Sequence, residues 1–120
     1  MKKVLFACIF CMVLAALFVT AAAGEEQDHP RLLFLTQPLC PPCVALRSVL
    51  DELLVDHVIE VEEINVRENM SVARYFEMTR TPLLVFYNGA GEEIVRREGL
   101  VLKEEILLVF KEAGIELEKR

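Results

Sequence analysis

The sequence predicts a small α/β domain ordered β-α-β-α-β-β-α around a mixed four-stranded sheet. Two patterns carry this expectation. Short apolar runs of strand length alternate with stretches whose apolar residues recur at helical spacing, which is the pattern of parallel β-α-β units. The last two strands are instead separated only by turn residues, Asn88-Gly89-Ala90-Gly91, which makes them a hairpin. Composition agrees: 54% hydrophobic residues with five Gly and five Pro in 120 describe a packed globule rather than a disordered chain.

Arg31-Leu32-Leu33-Phe34-Leu35-Thr36 is a short apolar run stopped by Gln37-Pro38, a buried strand. Leu46, Val49, Leu50 and Leu53 then fall at i, i+3, i+4 and i+7, one face of a helix. Cys40 sits at the N-cap of that helix, and Pro41 and Pro42 take its first positions, where a missing N–H costs least. Ile59 to Val66 reads as a second strand whose alternation breaks at Glu63-Ile64, predicting a bulge or strand end there. Val72, Tyr75 and Phe76 predict a short helix stopped by Thr81-Pro82. Leu83 to Tyr87 and Glu92 to Arg97 are the hairpin strands. Leu102, Ile106, Val109, Phe110 and Ala113 form the last helical stripe, ended by Gly114. Glu116 to Arg120 reads as a frayed tail, so the domain is expected to span residues 31–115, with tails at 24–30 and 116–120.

The first 23 residues follow a different grammar. Met1-Lys2-Lys3 is a positive start, Val4 to Val19 is unbroken apolar sequence, and Ala21-Ala22-Ala23 offers small residues before Gly24. This predicts a secretory signal peptide cleaved after Ala23, with an uncleaved membrane anchor as the alternative. Either way the domain lies outside the cytoplasm, in a bacterial periplasm or secreted, where disulfides persist. Without Lys2 and Lys3 the chain holds 11 basic against 19 acidic residues, a net charge of −8. An acidic globule with no basic run is not a nucleic-acid binder.

Four cysteines form two C-x-x-C pairs, Cys8/Cys11 and Cys40/Cys43. A four-thiolate zinc site fails because the first pair lies in the export segment, and a c-type haem site fails because Val44, not His, follows the second pair. No metal or cofactor is therefore expected beyond the Cys40/Cys43 dithiol itself. A staple closing so short a loop restricts the unfolded chain very little, whereas two cysteines at this spacing suit exchange: one attacks and the other resolves. Cys40, at the positive end of a helix, is the expected attacking thiol, and Cys43, one turn inside, the shielded one.

With these residues in view, the chain resembles the thioredoxin superfamily over almost all of residues 31–115. Cys40-Pro41-Pro42-Cys43 after a buried strand matches the family's active-site turn, and Asn65-Val66-Arg67-Glu68-Asn69, Tyr75-Phe76 and Thr79-Arg80-Thr81-Pro82-Leu83-Leu84-Val85-Phe86-Tyr87-Asn88-Gly89 are similar to its second half. The resemblance implies helices on both faces of the sheet and a cis peptide bond before Pro82, facing the cysteines. It also implies a Thr81 backbone that pairs with a substrate strand, and Gly99 beside that strand. The implied activity is thiol:disulfide exchange on protein thiols and disulfides by a monomer served by a separate redox partner, membrane-bound or soluble. Departures are specific. Leu39 stands where the family carries an aromatic, usually Trp, and Phe34 where it carries a buried acid; the extra N-terminal strand and helix do not fit between Gly24 and Pro30. Thr36-Gln37-Pro38 is similar to glutaredoxins, but no second glycine accompanies Gly99 to form a glutathione site.

Other residues have plainer readings. His29 belongs to the tail, His57 to the solvated end of a helix, and Met70 and Met78 to packing. Glu60, Glu62 and Glu63 form a solvated strand face, unless one turns inward and replaces the missing acid. The competing function is a redox-inactive module that grips extended polypeptide beside Pro82 by strand addition.

Overall fold

The computed structural model describes residues 29–120. The export segment 1–23, with Cys8 and Cys11, and the tail through residue 28 lie outside the described residues. Seven elements follow in the expected order: β1 (Arg31–Thr36), α1 (Pro41–Asp56), β2 (Glu60–Asn65), α2 (Met70–Tyr75), β3 (Leu83–Tyr87), β4 (Glu93–Glu98) and α3 (Lys103–Glu112). The strands form one sheet in the order β2-β1-β3-β4, parallel between β1 and β2 and antiparallel elsewhere.

The central strands explain the layering. β1 and β3 are almost wholly buried, as their continuous apolar runs require of strands covered on both faces. Leu32 and Phe34 of β1, with Leu84 and Phe86 of β3, pack against Leu46, Leu50 and Leu53 of α1 and Ile106 and Phe110 of α3. Leu33, Leu35, Leu83 and Val85 point to the opposite face, where Val66, Phe76 and the partly buried Val72 of α2 cover them. Helices therefore lie on both faces.

Several expectations are corrected. Of the bulge or strand end expected at Glu63-Ile64 in β2, there is no bulge: the register with β1 runs unbroken from Arg31↔Glu60 to Thr36↔Asn65, and the strand ends one residue beyond Ile64. The alternation broke because Glu63, although exposed, takes a position on the α1 side of the sheet. Val61 packs with the α1 face and Ile64 with the other, so Glu63 and Asn65 share the α1 side. An edge strand tolerates a charge on its helix-covered side, since its flank stays open to water. Among the described residues the register irregularity lies in the hairpin, between Phe86 and Tyr87.

In α3 the buried face is Ile106, Val109 and Phe110, while Leu102 and Ala113 are exposed. The helix starts only at Lys103, so Leu102 lies outside its register and Val101 turns inward instead. Tyr75 is likewise exposed, leaving Phe76 to fill the core.

Nor is the C-terminus frayed. Val58 donates to the Glu118 carbonyl at 2.8 Å, Arg120 donates to that of Asp56 at 2.9 Å, and His57 pairs antiparallel with Lys119. Ile115 and Leu117 pack against the core, which is why this acidic-looking tail docks. Its docking places His57 at 8% exposure rather than in solvent. Nearby, Lys103 bonds Asp56, holding that exposed carboxyl below its ordinary range and joining the end of α1 to the start of α3.

Candidate active site

Cys40 and Cys43 are joined as a disulfide, Cys40 at 6% exposure and Cys43 at 1%. Their setting follows from the local chain. Leu39 adopts φ +57°, a left-handed conformation unusual for a branched side chain, and stands 99% exposed beside the disulfide. Cys40 returns to extended backbone as the N-cap of α1, with Pro41 and Pro42 as the first two helical residues. An N-cap side chain accepts from the second or third helical amide. The second is Pro42, so only the third remains: Cys43 N–H donates to Cys40 Sγ at 3.3 Å. Val44 N–H is spent on the Cys40 carbonyl at 3.2 Å and does not serve the sulfur.

Opposite the disulfide, the Thr81–Pro82 bond is cis and Pro82 is fully buried. Thr81 Oγ1 donates to Cys40 Sγ at 3.5 Å, a contact that the sequence reading, concerned with the Thr81 backbone, did not anticipate. Thr81 lies ahead of Leu83, the first paired residue of β3, so its peptide groups are outside the sheet's own ladder. Gly99 N–H donates to the Pro82 carbonyl at 2.9 Å. A side chain there would meet nothing within 4 Å, so the glycine is required by its φ of +83° rather than by crowding.

Two arginines near the site are paired. Arg80 bonds Glu98 at 3.0 Å and turns into solvent. Arg47, one turn beyond Cys43 on α1, bonds both oxygens of Glu63, and this bond raises its already high pKa. Phe34 is buried in the core cluster that includes both cysteines, so no carboxylate lies beneath the disulfide at that point of β1. A cleft of about 600 Å³ opens along the α1 side of the β2 edge, lined by Cys40, Cys43, Thr36, Arg47, Glu63 and Asn65 among others. Spacing alone does not reveal the Arg47–Glu63 pair. Its one trace in the sequence is the broken alternation at Glu63.

A disulfide closing a C-x-x-C turn at a helix N-terminus, faced by a cis-proline, defines a thiol:disulfide oxidoreductase. The chain belongs to the thioredoxin family, whose model, described as Thioredoxin, matches residues 8–112 and so begins within the apolar N-terminal segment. Solved structures share the fold. Chloroplastic thioredoxin z is 22% identical over 73% of this chain and 80% of its own, with a TM-score of 0.65. A thioredoxin mutant from Halobacterium salinarum is 24% identical over 72% of this chain and 76% of its own, at 0.64. Thioredoxin-2 of the malaria parasite, described as a component of its protein secretion machinery, is 17% identical over 70% and 82%, at 0.62.

Proposed function

We propose that this protein works outside the cytoplasm and reduces or isomerises disulfides in exported proteins rather than acting as a strong oxidant. The observation that carries the direction is the sparse donor set at Cys40: one backbone amide, the Thr81 hydroxyl and the helix dipole. Oxidising power comes from stabilising the attacking thiolate, because that favours the reduced form. Here two prolines remove donors, and Arg47 and Arg80 are each neutralised by a glutamate.

In the reducing direction, Cys40 thiolate attacks a substrate disulfide and expels one substrate sulfur as a thiolate. Cys43 thiolate then attacks Cys40 Sγ, which forms the internal disulfide and releases the second substrate sulfur. Two electrons pass to the substrate, and a separate dithiol donor, at the membrane or in solution, must restore Cys40 and Cys43. Thr81 and Gly99 border the place where an extended substrate would lie, and strand addition to the Thr81 peptide would hold it.

Equilibration against glutathione buffers tests the direction. The expected potential is closer to the value of thioredoxin, about −270 mV, than to the roughly −120 mV of a strong periplasmic oxidant, and one above about −160 mV would reverse the reading.

The location rests on the charged start, apolar run and small-residue exit of residues 1–23. Intact mass of the exported protein should correspond to a chain beginning at Gly24. A full-length chain in the membrane fraction would instead mean a tethered enzyme.

A further inference from the structure

We propose that Glu63 is the proton acceptor for Cys43, reached through the cleft beside β2, and that Arg47 is its positioning residue. The inference rests on the redox reading above and deepens it. The resolving step consumes a Cys43 thiolate, so the proton on that sulfur must leave before or during attack on Cys40. Cys43 is 1% exposed, and the sheet position beneath the disulfide holds the hydrocarbon ring of Phe34. A buried acid is denied to it there, and its own contact with solvent is slight.

The cleft supplies what that position lacks. Cys43 forms part of its wall, and Glu63 is the one carboxylate among its lining residues. Glu63 is the direct partner of Phe34 across the β1–β2 ladder and lies on the same side of the sheet, so the acid has moved one strand outward rather than disappeared. Arg47 fixes it there. The guanidinium bonds one carboxylate oxygen through Nε at 3.3 Å and the other through its terminal nitrogen, and it lies over the Phe34 ring at 5.8 Å. The group bonded to Glu63 from α1 is thus Arg47, which also feels the charge of Asp51, one turn further along the helix. Thr36 Oγ1 is buried without a hydrogen-bond partner among the described residues, and Thr36 lines the same cleft. A relay water there would find a hydroxyl on one side and a carboxylate on the other.

The step balances. Glu63 carboxylate takes the Cys43 proton through the relay, the Cys43–Cys40 bond forms, and the bond from Cys40 to the substrate sulfur breaks. The departing substrate thiolate takes its proton from Glu63 or solvent.

Single-turnover reaction of the reduced protein with a peptide disulfide separates the two half-reactions, since attack by Cys40 and resolution by Cys43 are successive events. Glu63→Gln keeps the side chain's size. It should leave attack unchanged while slowing resolution at pH 7 on the order of 10²-fold, the low end of general-base contributions, with the deficit closing as rising pH lets hydroxide take the proton. Arg47→Lys keeps the charge but loses the two-point hold, so it should slow resolution less and keep the wild-type shape of the pH profile. Glu62→Gln, whose Arg31 partner lies away from the cleft, should change neither step. Resolution by Glu63→Gln at the wild-type rate and pH dependence overturns the proposal alone. Equal slowing of attack and resolution also overturns it, because that marks a structural role. If the wild-type protein does not react at all, the redox reading falls and takes the proposal with it.

Discussion

Cys40→Ser is expected to abolish catalysis of insulin disulfide reduction by dithiothreitol, and Cys43→Ala to convert the protein into a trap that holds substrate on Cys40. The asymmetry follows from burial and position. Cys40 takes the N-cap place, accepts from the Cys43 amide and the Thr81 hydroxyl, and adjoins the exposed Leu39. Cys43 lies inside the first turn at 1% exposure, beyond the reach of a bulky disulfide. A serine at position 40 has no thiolate with which to begin. With alanine at position 43 the first attack proceeds but no internal thiol displaces the substrate. Turbidity should stay at the uncatalysed background for Cys40→Ser. Non-reducing electrophoresis should show covalent adducts for Cys43→Ala that disappear on reduction. Adducts found only in the Cys40 variant would reverse the two roles. A wild-type protein inactive towards insulin and other protein disulfides would favour the polypeptide-binding module instead.

The fold was legible where side-chain period and burial agree. The helices α1 and α3 each show one face to the core, β1 and β3 are apolar throughout because both their faces are covered, and Cys40, Pro41 and Pro42 carry N-cap chemistry that needs no partner from elsewhere in the chain. Errors arose where distant segments meet. Glu63 breaks an alternation because it lies on the side of an edge strand where Arg47 of α1 reaches it, and no local rule joins residues 16 apart in sequence. His57 looked solvated because the segment that covers it, Glu118 to Arg120, lies more than 60 positions away. Thr81 makes a side-chain contact in addition to the backbone role that the resemblance implies. Its hydroxyl meets Cys40 only because the cis-proline turn and the helix N-terminus converge across 41 residues. Motif and spacing thus pick out the two cysteines of the disulfide, while the groups around them come from tertiary contacts.

Pro42→His should make the protein markedly more oxidising. Cys40 Sγ has the helix's third amide as its one backbone donor, because the second position is a proline without an N–H. A histidine at position 42 restores that donor and places an imidazole, partly protonated near neutral pH, at the mouth of the turn. Both changes favour the thiolate, hence the reduced form, and so raise the potential. Pro42→Ala isolates the first effect, because it returns the N–H without the cation. An amide donor and a nearby charge together are expected to contribute roughly one to two powers of ten in the equilibrium with glutathione. At ~30 mV per tenfold for a two-electron couple this is an increase of about 30–60 mV, with Pro42→Ala falling between the wild type and Pro42→His. Pro42 is exposed, so neither substitution disturbs the core, and thermal melts of the reduced and oxidised forms should show the reduced form gaining relative to the oxidised one. An unchanged potential in both variants would mean that the number of donors at Cys40 does not set the redox poise. The direction of catalysis would then have to be sought in the groups across the turn, Thr81 first among them.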